Sequence, residues 1–209
     1  MIDLIHVNKT LKGKKVLQDI NYHFEEAKIY GLFGINGSGK TILLRTIAGL
    51  MIPTSGKVLI NQKQLHKDIS FPPSAGIIIE TMQLLPQFDA KTNLSILAKI
   101  KKIATDEDIH AALKRVGLDP DSNLKVRKFS LGMKQRLNIA QTIFEKPQLL
   151  ILDEPTNAVD EKGVKKIHQI LAEERERGAT VIVATHHKED FLSLCDETLK
   201  MENGVLTRD

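Results

Sequence analysis

The stretch Gly34-Ile35-Asn36-Gly37-Ser38-Gly39-Lys40-Thr41 satisfies the spacing G-x-x-x-x-G-K-[ST] at every fixed position, and it constrains the fold more than any other feature of the chain. A loop of this kind needs a strand to enter it and a helix to leave it. The apolar run Ile29-Tyr30-Gly31-Leu32-Phe33 reads as a buried strand, and residues 42–49 read as a helix ended by Gly49. The residue types are those that a polyphosphate requires. Gly37 and Gly39 let backbone N–H groups approach several negative charges, and the helix start adds its positive dipole end. Lys40 supplies a point charge beside the outer two phosphates, and the Thr41 hydroxyl suits one ligand position of a Mg2+ ion that otherwise keeps several waters. A glycine-rich turn that binds nothing is the alternative, and the complete pattern in its strand, loop and helix setting argues against it.

At 209 residues, 42% of them hydrophobic, the chain accommodates one α/β domain with a substantial core and a small subdomain; two full domains would be tight. Lys and Arg total 30 against 26 acidic residues, and the net charge of +4 fits solvated lysines on helix faces, with no nucleic-acid partner expected. Aromatic residues make up 4%, too few for a base-stacking platform. The one cysteine, Cys195, has no partner for an internal disulfide and fits a reducing cytosol. No apolar run has the length of a membrane span, and residues 1–6 lack the basic-then-apolar order of a secretory signal, so a soluble chain is expected.

Residues 2–7 and 15–24 alternate apolar and polar side chains around Lys12-Gly13-Lys14, which predicts antiparallel strands ahead of the phosphate strand. Pro53-Thr54-Ser55-Gly56 is a turn, Lys57-Val58-Leu59-Ile60 a short strand, and residues 70–74 a loop. Ala75-Gly76-Ile77-Ile78-Ile79-Glu80 reads as a buried strand ending in an acid. From about 82 to 144 the pattern is helical: residues 93–103 are amphipathic, and Thr105-Asp106-Glu107-Asp108 resembles an acidic helix start followed by Ile109, Ala112, Leu113 and Val116 at helical spacing. Strand-like runs return at 149–152 and 180–184 with the helical pattern Val164, Ile167, Ile170 and Leu171 between them. That alternation predicts a parallel sheet with crossover helices, into which a helical subdomain is inserted.

The run Leu149-Leu150-Ile151-Leu152-Asp153-Glu154 ends in two adjacent carboxylates, as expected of the second phosphate and metal element of a P-loop NTPase. Successive strand residues face opposite ways, so the two acids divide the work. Asp153 suits the Mg2+ shell through water, and Glu154 suits activation of a water at the outermost phosphate. A surface acidic pair capping the helix near Asp160 remains the alternative on these residues alone.

Phe129-Ser130-Leu131-Gly132-Met133-Lys134-Gln135-Arg136 resembles the signature motif of ABC (ATP-binding cassette) ATPases. Pro155-Thr156-Asn157-Ala158-Val159-Asp160 is similar to their D-loop, and Thr185-His186 to their switch-histidine loop. Four motifs in the family's order span nearly the whole chain. The resemblance implies a single domain, with residues 1–81 and 145–209 forming the catalytic core and β layer and 82–144 the helical subdomain. It also implies an ATP-dependent head-to-tail dimer, with a second copy or a similar cassette. Leu11 and Val16 would meet the base, and Asn36, Gly37, Ser38, Gly39, Lys40, Thr41 and Ile42 the phosphates. Ser130, Gly132, Met133 and Asp160 would complete the site of the facing copy. The catalytic set would be Glu154, His186, Lys40 and Glu80, with His186 contacting the γ-phosphate, and Thr41, Glu80 and Asp153 would serve Mg2+.

Three departures from the family pattern narrow the reading. Leu11 stands where the family has an aromatic residue on adenine, so apolar contact would replace stacking. The signature carries Leu131-Gly132-Met133 in place of the commoner double glycine, and Glu80 replaces the usual glutamine. The last two resemble the bacitracin-type and lantibiotic export or self-protection branch. An amide offers an acceptor and two donors whereas a carboxylate only accepts, so Glu80 is expected to approach the metal and the attacking water, close to Asp153 and Glu154. The resemblance further implies a separate transmembrane permease subunit that would hold the chain on the inner face of the cell membrane. Leu84, Leu85, Pro86 and Phe88, in the stretch from Met82 to about residue 97, would face it or else form local core. Rivals within the family are an ATPase acting on ribosomes or nucleic acid, and an ATP-gated clamp that barely turns over.

Overall fold

The computed structural model describes residues 1–80 and 83–209. The expected boundary between 81 and 82, and Met82 at the start of the expected permease surface, lie outside the described residues. The chain begins as an antiparallel layer. β1 (Ile2–Leu11) and β2 (Lys14–Phe24) form a hairpin through Lys12 and Gly13, both in the left-handed region. After β3 (Ile29–Phe33) and α1 (Lys40–Ile47), β4 (Ser55–Ile60) pairs with β1, and the two-residue β5 (Lys63–Gln64) extends the edge.

Among the described residues the second sheet has six strands in the order β10-β9-β3-β8-β7-β6. Its members are β3, β6 (Ala75–Ile78), β7 (Leu149–Asp153), β8 (Thr180–Thr185), β9 (Glu197–Glu202) and β10 (Val205–Arg208). All neighbours are parallel except β10, which folds back on β9. Every residue of β3 and β8 is buried, because layers cover both faces of the sheet, and this is why those strands read as continuous apolar runs.

Strand alternation sorts the core into two clusters. Tyr30, Leu32, Leu149, Ile151, Ile182 and Ala184 face α1 and the antiparallel layer, where they join Leu43, Leu44 and Ile47 of α1. Ile29, Phe33, Leu150, Leu152, Val181 and Val183 face the remaining helices. These are α2 (Ala90–Lys101), α3 (Asp106–Arg115), α4 (Leu131–Ile143), α5 (Glu161–Glu176) and the short α6 (Lys188–Phe191). The helical region therefore packs into the same apolar cluster as one face of the parallel sheet.

Several expected limits move, for local reasons. Helix α2 starts at Ala90, three residues before the expected 93, because the Asp89 carboxylate accepts from the Thr92 N–H at 2.9 Å; it stops when Lys102 turns left-handed. Helix α3 has the expected acidic start, which the structure closes as a reciprocal capping box, with the Asp108 N–H donating to Thr105 Oγ1 and Asp108 accepting from the Thr105 N–H. Strand β6 ends at Ile78, and Glu80 sits beyond it with φ 61, outside the strand. Strands β5, β9 and β10 and helix α6 are additions to the expected elements.

Candidate active site

Four of the connections that leave the carboxyl edge of the parallel sheet lie side by side: the glycine-rich loop after β3, Thr185-His186 after β8, Asp153-Glu154 at the end of β7, and Glu80 after β6. An open α/β sheet binds its ligands outside this edge. The loop is built by close approach. Gly39 caps α1 at φ 114, and a Cβ there would stand 2.8 Å from both Val16 O and Met201 Cε, so only glycine fits. The β9 to β10 turn holds the loop from below, since the Gly204 N–H donates to Ser38 O at 2.9 Å. Above Gly37 the space is open for at least 4 Å around a notional Cβ.

A cleft of ≈ 350 Å³ lies over this loop, bordered by Leu11, Val16, Asn36, Gly37, Gly39, Lys40, Thr41, Ile42, Asp153 and Glu154. Ten of the expected site residues thus line one cleft. Ser38 is buried beside it, and among the described residues its Oγ has no hydrogen-bond partner, an orphaned polar atom that a phosphate oxygen would satisfy. Lys40 Nζ donates to Gly34 O at 2.5 Å and to Ile35 O at 3.2 Å; burial lowers its pKa, while Glu154 and Asp153 oppose that shift. Thr41 Oγ1 donates to Asp153 Oδ2 at 2.6 Å. Burial pushes the Asp153 carboxyl up, the Thr41 hydrogen bond opposes this, and the charges of Glu154 and Glu80 add to it. A cation beside Asp153 would relieve that cost. Among the described residues no three His, Cys, Asp or Glu side chains form a metal cage. A hydroxyl and a carboxylate fit Mg2+ instead, which takes few protein ligands and completes its shell with phosphate and water.

Glu154 is oriented by the end of β8. Its backbone is left-handed, φ 49, and its N–H donates to Ala184 O at 2.8 Å. Thr185 Oγ1 donates to Glu154 Oε2 at 2.8 Å, the His186 N–H donates to Oε1 at 3.1 Å, and His186 Nδ1 lies 2.6 Å from Oε1. The imidazole also packs on His187, with ring centroids 3.9 Å apart. Such a carboxylate has a fixed direction and a lone pair to spare for a water proton.

The other expected residues stand apart from the cleft. Ser130 caps α4, its Oγ accepting from the Met133 N–H at 3.2 Å, and Gly132 and Met133 form the first turn of that helix. Asp160 caps α5 by accepting from the Gly163 N–H at 2.9 Å. Neither group borders the cleft of its own chain. Glu80 does not border it either: its carboxylate accepts from Arg45 Nη2 at 2.7 Å. Two contacts had no sequence signal. Gln135 Nε2 donates to Pro155 O at 2.8 Å and ties α4 to the segment after Glu154, and Arg45 engages Glu80. Thr185 was visible as a neighbour of His186, but only the fold shows that its hydroxyl holds Glu154.

The profile of the ABC transporter family matches residues 17–157. An uncharacterized ABC transporter ATP-binding protein of Bacillus subtilis (strain 168), YybJ, is 62% identical over 206 residues, covering 99% of this chain and 94% of its own length. The bacitracin transport ATP-binding protein BcrA of Bacillus licheniformis is 34% identical over 99% of this chain and 68% of that protein. Among solved structures, the dimeric bacterial ABC transporter cassette MJ0796 superposes with a TM-score of 0.89 at 28% identity, covering 100% of this chain and 97% of that one. The same cassette is also known in a post-hydrolysis dimer bound to ADP and Pi, with the same score and coverage.

Proposed function

The chain belongs to the ABC transporter family as an ATP-binding, ATP-hydrolysing cassette, and from that premise we propose that it powers a separate transmembrane permease that exports, or protects against, an antimicrobial peptide or drug. The arrangement that carries this reading is the Glu154 carboxylate, held by Thr185 and His186 at the rim of a phosphate-binding cleft. In the proposed reaction Lys40 and the loop N–H groups hold the outer phosphates. Glu154 takes a proton from water as the water oxygen bonds to the γ-phosphorus and the bond to the ADP oxygen breaks. His186 steadies Glu154 through Nδ1 and presents the rest of its ring to the γ-phosphate. Thr41 and Asp153, joined by Glu80, would hold Mg2+, which would neutralise phosphate charge.

Two copies facing head to tail would bring Ser130, Gly132, Met133 and Asp160 of one to the nucleotide of the other. Large apolar side chains support that surface: Ile35 in the phosphate loop is 76% exposed and Leu131 in the first turn of α4 is 70% exposed. Among the described residues no helix is long and apolar enough to cross a membrane, so transport requires a membrane partner. We place the chain on the cytoplasmic face of the membrane, docked on that partner. Relatives named for bacitracin and lantibiotic transport support the cargo class. Affinity purification of the chain from solubilised membranes is expected to recover a permease. A strain lacking the chain is expected to gain sensitivity to bacitracin or a lantibiotic, restored by wild type and not by Glu154→Gln. Unchanged sensitivity to both would refute the cargo class, and recovery of ribosomes without a membrane protein would refute the transport role.

A further inference from the structure

Thr41 and Arg45 are four residues apart on α1 and therefore lie on one face of the helix, one turn apart. From that face each reaches the end of a different strand. Thr41 bonds Asp153 at the end of β7, and Arg45 bonds Glu80 just past β6. The two strands are hydrogen-bonded neighbours, with Ile78 paired to Leu152, so the acids they deliver lie side by side at one edge. The phosphates and the metal belong at the N-terminal end of α1, in the turn that holds Thr41. Arg45 stands about 6 Å further along the axis, roughly one turn away from that end.

We propose that Arg45 is a positioning residue that parks the Glu80 carboxylate outside the metal site, so that Glu80 reaches the site only by exchanging the guanidinium for the cation. This rests on the reading that Glu80 serves the metal. The pair has the properties of a replaceable contact. Arg45 is 35% and Glu80 58% exposed, and one Nη2 contact at 2.7 Å joins them, so the ion pair is weak and open to competition. Glu80 has a left-handed backbone, uncommon for a residue with a side chain, and lies outside the strand that would otherwise fix its direction. Charge explains why a parking place is useful. Asp153 and Glu154 already share the edge, and a third free carboxylate beside them would repel both until a cation arrived.

The test is Mn2+ binding to the full chain saturated with a non-hydrolysable ATP analogue, followed by electron paramagnetic resonance of free Mn2+, with hydrolysis measured against Mn2+ in parallel. Arg45→Gln is expected to tighten Mn2+ binding about two- to five-fold, the equilibrium factor of an exposed ion pair. Arg45→Lys, which can make the same single contact, is expected to restore the wild-type curve. Glu80→Gln is expected to weaken Mn2+ binding, and in its background Arg45→Gln is expected to change nothing. If Arg45→Gln leaves binding unchanged while Glu80→Gln weakens it, Glu80 serves the metal but Arg45 does not position it, and the proposal falls. An Arg45→Gln effect that persists without Glu80 overturns it as well. If neither substitution moves the curve, the underlying reading of Glu80 fails first. Thermal melting verifies that each variant folds, and Arg45→Met, which keeps a long apolar stem, substitutes for Arg45→Gln if needed.

Discussion

Replacing Glu154 by Gln separates chemistry from structure, because the contacts around this carboxylate can survive the change. The amide oxygen can stay at the Oε1 position, accepting from the His186 N–H and facing Nδ1, now 3.1 and 2.6 Å away. The NH2 then takes the Oε2 position 2.8 Å from Thr185 Oγ1, and that hydroxyl can rotate from donor to acceptor. Each hydrogen bond is kept or reversed, so the stability change is expected to stay within about 1 kcal/mol. The amide cannot accept a proton from water at neutral pH. Losing a positioned base costs roughly 10²–10⁴-fold in rate, or about 2.7–5.5 kcal/mol of transition-state stabilisation. Phosphate release under saturating ATP measures that loss, calorimetry measures ATP affinity, and urea titration measures stability. The expected result is slow turnover, retained ATP binding, an unchanged unfolding midpoint and accumulation of an ATP-held dimer. Turnover within about two-fold of wild type would refute the role of Glu154 as base.

Lys40→Ala removes the cation that now caps Gly34 O and Ile35 O. ATP affinity is expected to fall roughly 10–150-fold, the equivalent of about 1.5–3 kcal/mol for a hydrogen bond to a charged group, and calorimetry with wild-type affinity would contradict the site. Light scattering is expected to find the wild-type chain mainly monomeric without nucleotide and Glu154→Gln dimeric with ATP. Ser130→Ala should weaken that dimer while sparing ATP binding to the monomer, and a stable nucleotide-free dimer would count against the composite site. Asp89→Ala is expected to cost about 1 kcal/mol or more in urea unfolding at pH 7, because it removes the cap of α2 and the ion pair to Lys125 at 2.9 Å. Burial pushes the Asp89 carboxyl up, but Thr92 and Lys125 outweigh it and hold its pKa well below the usual carboxylate range. A depressed folded value adds stability above the unfolded value, so the gap between wild type and Asp89→Ala should narrow as pH falls below about 4. A gap that is constant from pH 7 to 2.5 would rule out the ion pair as its source.

The parts of the fold legible in the sequence are those whose signal is local. Strands buried on both faces show as apolar runs, so β3, β7 and β8 were readable nearly to the residue, and the phosphate loop announces itself in eight positions. The β9 to β10 hairpin also had a local signal, Asn203-Gly204 between alternating residues, which is a strong hairpin cue. What no local pattern could give are contacts between distant segments. Arg45 and Glu80 are 35 positions apart, and Gln135 and Pro155 are 20 apart. Nothing in the surroundings of either residue in the sequence marks it as a partner of the other.

The two adjacent acids show the same limit at the scale of a single bond rotation. Strand alternation by itself would send Asp153 and Glu154 to opposite faces of the sheet, which would separate them without aiming the second at anything in particular. The chain instead leaves the strand at Glu154 with φ 49 while the Glu154 N–H still donates to Ala184 O, so the ladder gains one more bond as the backbone turns. That turn leaves Asp153 beside Thr41 and delivers Glu154 to Thr185 and His186 at the end of the adjoining strand. A left-handed residue with a side chain is disfavoured by roughly 1–2 kcal/mol, and three contacts to the end of β8 offset that cost. In the proposed mechanism, the division of labour between metal acid and base would therefore be set by backbone geometry at one residue. Glu154→Gly, which would relax the same turn, is a different experiment from Glu154→Gln: it removes the carboxylate and the contacts that justify the conformation together.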